Sequence, residues 1–380
     1  MLPIDKLLAV KHIVTHEHCA DGLASAMILK NVLPYAKVTF LQYDTNEHKN
    51  LKTEEGVLFC DFSPHKSTVD AFREAGAIVL DHHKTQKEVV EQFGELGVFA
   101  DEKTEPGVCG AVLAFREVWT PLSALRKFHV DDPSDLSGTP KFLQEFATLA
   151  GIRDTWQKDD PRWRQACEQA EALTFWPEEE LLALALRHSV AWPEKLALGP
   201  MLFDRRLRGA QGCLDKGYTF QTSKGRKVIM FEGLRQSSDA AEIAGSAYDF
   251  VVGFGYTTEE DPSLILADGY AKAVGCQIPS VIYSTRSHTT FDCSAFCLAH
   301  GGGGHTKAAG CRVVLGSTDP QPYELLKQML LTYERVEDQW LQIIAANKGK
   351  EGFQPKDEYT ALVTGFRPAP LTGFQPMESK

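Results

Sequence analysis

Short apolar runs alternate with helical stretches along the first half of the chain, and most of the runs end in residues that carry charge or can bind metal. Lys11-His12-Ile13-Val14-Thr15 reads as a first strand. The polar turn His16-Glu17-His18-Cys19-Ala20-Asp21-Gly22 follows, and then a helix over Leu23 to Leu33. Val38 to Tyr43 is a second strand. Gly56 to Cys60 is a third, closed by Asp61-Phe62-Ser63-Pro64, with a helix after it over Ser67 to Ala75. Ala77-Ile78-Val79-Leu80 is a further buried strand, and its polar tip is Asp81-His82-His83. Strands alternating with helices predict a parallel sheet, and such sheets bind ligands beyond the carboxyl ends of their strands.

Gly107 to Phe115 has the small residues of a helix set close against a sheet, and Asp131 to Pro140 reads as a loop. Phe142 to Ala150 is amphipathic and leads into Ile152-Arg153-Asp154-Thr155-Trp156. Ala, Leu, Glu and Arg with helical periodicity fill residues 161–215, which predicts connecting helices. Strands resume at Lys227 to Phe231, Phe250 to Phe254 and Ser280 to Tyr283, with a helix over Ser237 to Ala247. The expected architecture is α/β: a parallel-sheet domain (1–160), a helical linker (161–215), a smaller α/β domain (216–345) and a tail (346–380). The smaller domain carries Gly301-Gly302-Gly303-Gly304-His305, whose backbone amides let a ligand oxygen approach closely. A strand over Cys311 to Leu315 and a helix over Pro322 to Ile344 complete it.

Composition narrows the classes. The 380 residues are 43% hydrophobic and 24% charged, ordinary values for a globular chain of two domains. A formal net charge of −11 argues against a broad surface for long duplex nucleic acid, while a few local cations still suffice for a small phosphorylated substrate. Nine cysteines without a CxxC pair fit reduced thiols and a cytoplasmic protein better than a disulfide framework or a zinc ribbon. No apolar run reaches a membrane span, and the opening Met1-Leu2-Pro3 does not read as a signal peptide.

Each polar tip alone equally suits a turn or a helix cap. Together, and in this order, they carry more. His16-x-x-Cys19-x-Asp21-Gly22, Asp61 after an apolar strand, Asp81-His82-His83, Asp154, and the glycine-His305 motif preceded by Arg286 resemble the DHH phosphoesterase superfamily, in its branch with a C-terminal DHHA1 domain. The resemblance runs from about His12 to Leu315. It implies two Mn²⁺ ions, with Mg²⁺, Co²⁺ or Zn²⁺ as alternatives, about 3.5–4 Å apart. Asp21, Asp61, His82 and Asp154 would hold one ion, with Asp61 bridging to a second held by His16. His83 would face the substrate phosphate. Arg286, Gly302, Gly303, Gly304 and His305 would bind the substrate. Cys19 stands where many relatives have Asp, and a soft thiolate suits Mn²⁺ poorly, although it remains a potential ligand.

The implied activity is phosphoester hydrolysis, with Asp61 and His83 at the reacting centre. Short single-stranded oligonucleotides, cut one nucleotide at a time, are the favoured substrate. Cyclic dinucleotides, 3′-phosphoadenosine phosphate and polyphosphate are the alternatives. A catalytically impaired nucleotide-binding module is the contrasting class, with Cys19 as the feature in its favour. The sequence suggests no membrane partner and leaves a homodimer open.

Overall fold

The computed structural model describes residues 2–43, 45–101, 103–125, 140–185, 191–257, 280–315 and 320–347. The loop expected over Asp131 to Pro140, apart from Pro140 itself, and the tail from Lys348 lie outside the described residues. The chain divides into two compact units, up to Asp204 and from Arg205.

Five strands make the sheet of the first unit: β1 (His12–His16), β2 (Lys37–Leu41), β3 (Val57–Cys60), β4 (Ile78–Asp81) and β5 (Gly97–Phe99). All pair in parallel, in the order β2-β1-β3-β4-β5. The order reverses between β1 and β3, and a crevice opens at the carboxyl ends of strands at such a switch point. His16 closes β1, Asp61 follows β3 and Asp81 closes β4, so the polar tips of the sequence gather on one edge of the sheet.

Both faces of this sheet are covered, which is why the central strands β3 and β4 are apolar runs rather than alternating. On one face Ile13, Leu58, Ile78 and Leu80 pack with Leu23, Met27 and Leu29 of α1 (Ala20–Val32). On the other, Val14, Phe59 and Val79 pack with Val69 and Phe72 of α2 (Val69–Glu74). The Phe59 and Phe72 rings meet edge to face at 4.9 Å. Truncating either fully buried ring to Ala would cost about 3–5 kcal/mol. Helix α3 (Gly110–Leu113) continues through a π-helical stretch, Ala114–Trp119. Helices α4 (Pro140–Asp154) and α5 (Trp163–Phe175) complete the packing, with Leu143 and Phe146 of α4 in the core.

Helix α1 begins at Ala20 rather than at Leu23, and α4 runs on to Asp154 rather than ending near Gly151. Both extensions matter, because they bring Asp21 into a first turn and Asp154 into a last one. Strand β5 was not expected, since three residues are too few to show a period.

Helix α6 (Gly199–Asp215) carries the chain into the second unit. Its sheet has six strands: β6 (Tyr218–Gln221), β7 (Lys227–Glu232), β8 (Phe250–Thr257), β9 (Ser280–Arg286), β10 (Gly303–His305) and β11 (Ala308–Val314). They lie in the order β10-β11-β9-β8-β7-β6, and only β7 and β8 run parallel. The β-α-β alternation of the sequence therefore survives as β7, α7 (Ser237–Ala244) and β8. One face packs on α8 (Cys293–Leu298) and α9 (Pro322–Asn347) through Phe250, Tyr283, Phe296 and Tyr333. The other packs on α6 and α7 through Ala210, Ala240 and Ala241. No helix among the described residues is long and apolar enough to cross a membrane.

Candidate metal centre

Three segments deliver carboxylates to the edge of the first sheet. Asp61 stands immediately after β3 with φ of 58°, a left-handed backbone that Asp and Asn tolerate better than other residues with a side chain. Its side chain is buried. Asp21 is equally buried in the first turn of α1, but it does not cap its own helix. Its two oxygens accept the backbone N–H groups of Gly110 (2.6 Å) and Ala111 (2.9 Å), so it lies against the N-terminus of α3. Asp154 comes from the end of α4.

Two glycines make this convergence sterically feasible. A Cβ on Gly110 would lie 2.3 Å from the Asp61 Cβ and 2.9 Å from an Asp21 oxygen. One on Gly22 would lie 2.3 Å from the His16 carbonyl oxygen, where α1 crosses the end of β1.

His82 stands among the three carboxylates. Its Nε2 is 3.1 Å from Asp61 Oδ1, 3.5 Å from Asp154 Oδ2 and 3.7 Å from Asp21 Oδ2. His16 approaches Asp61 from β1, with Nδ1 at 4.0 Å from Oδ2. Both of these atoms are buried and without a hydrogen-bond partner. Buried polar atoms are seldom left so. A cation between them would satisfy both atoms at once.

Among the described residues, donor atoms within 4.8 Å of one another form three groups: His16, Cys19 and Asp61; Asp61, His82 and His83; Asp21, His82 and Asp154. Asp61 belongs to two of the groups, and so does His82. Carboxylate oxygens with imidazole nitrogens fit Mn²⁺ or a similar divalent ion. The residues present thus fit a pair of cations.

The electrostatics agree with that fit. Burial, with Asp21 and Asp154 close by, pushes the Asp61 carboxyl well above the usual carboxylate range. Burial and the Asp21 charge push Asp154 up to about 6, against the opposing pull of His82, His83 and Arg153. Burial followed by the His83 charge lowers His16. Burial and the surrounding carboxylates hold the Cys19 thiol well above its usual value. Like charges crowded out of water in this way call for a counter-cation.

Asp81 contrasts with its neighbours. It is fully buried, and both its oxygens are engaged. Oδ1 accepts the backbone N–H of His83 (2.9 Å) and pairs with His83 Nδ1 (2.7 Å). Oδ2 accepts the hydroxyls of Ser63 (2.5 Å) and Tyr43 (3.1 Å). Burial would raise its pKa, but the hydrogen bonds and charge of His83, together with Ser63, outweigh this and lower it. Asp81 shares the polar tip with His82 and His83, but in the fold its oxygens are already engaged, and it belongs to none of the donor groups found among the described residues.

In the second unit, Arg286 and the glycine motif share a cleft of about 430 Å³, lined also by Leu234, Ser284 and Ala309. The Arg286 guanidinium donates to Ser238 Oγ (3.0 Å), Ser284 Oγ (3.1 Å) and the Thr285 carbonyl (2.8 Å). Gly303 and Gly304 are not an open loop, because they pair with Gly310 and Ala309 as an edge hairpin. A Cβ on Gly304 would strike Ala309 and one on Gly302 would strike the Gly310 carbonyl, whereas Gly303 has open space. The side chain of His305 lies outside the described residues.

Sequence reasoning missed the backbone amides of Gly110 and Ala111, and the hydroxyls of Tyr43 and Ser63. Ser63 lay in the quoted Asp61-Phe62-Ser63-Pro64 turn, but only as a turn residue. Tyr43, at the far end of an apolar run, gave no chemical signal.

No family model and no curated protein matches the chain. Among solved structures, the chain is similar to the pGpG-specific phosphodiesterase PggH from Vibrio cholerae, with 13% identity, 84% of this chain and 98% of that one covered, and a TM-score of 0.48. It is similar to the DHH domain of a protein described as a member of a family of ribosomal proteins, with 11% identity, 86% and 87% covered, and a TM-score of 0.48. It is also similar to exonuclease RecJ bound to manganese, with 17% identity, 85% and 89% covered, and a TM-score of 0.44. Likeness at these levels carries no argument about chemistry, which rests on the side chains.

Proposed function

We propose that the chain is a metal-dependent phosphoesterase of the DHH type, acting on the phosphoester bonds of small nucleotides. The observation that carries this reading is Asp61, a fully buried carboxylate shared by two groups of potential ligands, with one oxygen unpartnered beside the unpartnered His16 nitrogen. His16, Asp21, Asp61, His82 and Asp154 would hold two divalent ions, Mn²⁺ being the favoured metal, with Cys19 in reach of the His16 side. When bound, such ions activate water and neutralise charge on phosphoryl oxygens.

The chain's own residues set the rest. The α3 amides keep Asp21 aligned. His83, held through Nδ1, is free to offer Nε2 to a phosphate oxygen. Arg286 and Gly302, Gly303 and Gly304, with His305, would hold the substrate away from the bond that is cut. A guanidinium suits phosphate because its fork binds two oxygens at once. The cleft volume is that of a small-molecule site, which favours a short oligonucleotide or a single nucleotide over a long chain.

The test is release of phosphate or mononucleotide from dinucleotides, cyclic dinucleotides, 3′-phosphoadenosine phosphate and polyphosphate, with and without Mn²⁺. Metal-dependent turnover of one of these supports the reading. Tight metal binding without turnover of any would leave a nucleotide-binding module instead.

A further inference from the structure

The mechanism above uses His83 but not the groups that hold it. His83 is one-third exposed and follows the end of a strand, where a short side chain could rotate freely. It does not stand alone. Its Nδ1 lies 2.7 Å from the wholly buried Asp81, and that carboxylate is gripped from its other side by Ser63 and Tyr43.

The two hydroxyls come from different elements. Ser63 lies just after β3, and Tyr43 lies just after β2. The Ser63 N–H in turn donates to the Tyr43 hydroxyl at 3.2 Å, and its carbonyl oxygen is 3.0 Å from His48 Nε2. Tyr43 also packs edge to face against two of the three candidate site imidazoles, with ring centroids 5.5 Å from His16 and 5.9 Å from His83. The Asp81, Ser63 and Tyr43 network thus ties His83 in place, with its Nδ1 also 3.9 Å from Asp61 Oδ1.

We propose that Tyr43 and Ser63 are positioning residues, which act through Asp81 to fix the His83 ring with Nδ1 engaged and Nε2 directed at the substrate. The inference rests on the phosphoesterase reading for its kinetic part only. The physical ground is that an imidazole holds one tautomer and one orientation when its far nitrogen is tied to a fixed carboxylate. The carboxylate is itself fixed only while its remaining lone pairs are occupied. Removing one hydroxyl frees Asp81 to turn, and the ring turns with it.

The experiment compares Tyr43→Phe, Ser63→Ala and the double variant with wild type, all as the full chain. Tyr43→Phe keeps the ring packing and deletes only the hydroxyl, so it serves alone if Ser63→Ala folds poorly. Kinetics with a nucleotide substrate should show kcat reduced roughly 10- to 100-fold, KM within about twofold and Mn²⁺ content unchanged. The double variant should be no worse than Asp81→Asn, because both hydroxyls act through one carboxylate.

A second readout needs neither metal nor substrate. Nitrogen-15 spectra of the imidazoles in the metal-free protein, with His83 assigned by its loss in His83→Gln, should show an Nδ1–H tautomer in wild type and a mixture in the variants. Wild-type kcat and an unchanged tautomer would overturn the proposal. A parallel loss of Mn²⁺ content and kcat would overturn it too, by placing the network on the metal side. If wild type hydrolyses no phosphoester, the functional reading fails, and the tautomer spectra still decide the role of Tyr43 and Ser63.

Discussion

The two units both bury charged groups beside a sheet, but the first crowds like charges together whereas the second surrounds a guanidinium with neutral acceptors. In the first, Asp61, Asp154, His16 and Cys19 are crowded and depart from their ordinary titration, and two of their buried atoms lack partners. In the second, Arg286 is half buried yet cradled by Ser238, Ser284 and the Thr285 carbonyl. Strain of the first kind disappears when a cation arrives. Burial lowers the Arg286 pKa from its ordinary value, while neutral oxygens supply its hydrogen bonds. On the proposed function, the first site would take metal and the second would meet substrate.

The sharpest way to break this contrast is Asp61→Asn. Asparagine tolerates the same left-handed backbone, so the change removes charge without adding strain. Hydrolysis should fall by roughly 1,000-fold or more, beyond the loss of a single transition-state donor. The metal-free variant should melt at a higher temperature than metal-free wild type, since a buried carboxylate crowded by Asp21 and Asp154 has been neutralised. A phosphate-release assay checks the first half, and calorimetry with and without Mn²⁺ checks the second. A variant that is still stabilised by Mn²⁺ as wild type is would remove Asp61 from the ligand set.

His82 and His83 are neighbours with different surroundings, and they offer the next largest effect. His82→Ala removes the nitrogen that lies among three carboxylates, and should weaken metal affinity about 10- to 100-fold. His83→Ala should leave metal content near wild type and lower kcat. Metal analysis after equilibration at limiting Mn²⁺ distinguishes them, and equal losses would contradict the division of labour.

How much of this was legible in the sequence follows from what each feature depends on. The strands β1, β3 and β4 and their polar tips are local, and apolar runs closed by Asp or His announce them. The parallel order and the second unit's α/β character followed from alternation. Strands β5, β6 and β10 are too short, or too exposed, to show a period. The grip of the Gly110 amide on Asp21 spans 89 residues of chain, and no local pattern encodes it. Tyr43 illustrates the same limit, because its role exists only once β2 lies beside β1 and Asp81 arrives from β4. Gly110 itself could be read as helix packing, but the carboxylates it admits could not.

Arg286→Ala sharpens the comparison from the other unit. Losing a charged hydrogen bond to a substrate phosphate costs about 1.5–3 kcal/mol, one to two orders of magnitude in kcat/KM. Nucleotide substrates should show that fall, and a nitrophenyl phosphate ester should change little, because remote contacts help only a substrate that reaches them. Metal content should be untouched. An equal fall on both substrates would move Arg286 into the chemical step.

The smallest expected effect is also the most direct contrast of the units: their opposite response to pH without metal. Asp61 and Asp154 have folded pKa values above the ordinary 3.8, with Asp154 at about 6. Between these limits the native state holds protons that the unfolded chain has released, so the stability of the first unit falls as pH rises from about 4 to 6. His16, lowered by burial, pulls the other way, but it is one group against two. In the second unit, burial lowers His300 from 6.5, so below that pH the unfolded chain binds a proton that the native state refuses. Its stability therefore rises with pH up to about 6.5. Hydrogen exchange, corrected for intrinsic rates, reads the two separately through amides of β1, β3 and β4 and through those of β8 and β9. Between about pH 4.5 and pH 6.5, protection should drop in the first set and grow in the second. Saturating Mn²⁺ should reverse the first slope alone, because bound cations require ionised carboxylates. Parallel slopes in the metal-free protein, or a reversal in both units, would mean that the crowded carboxylates do not govern the first unit as its geometry implies.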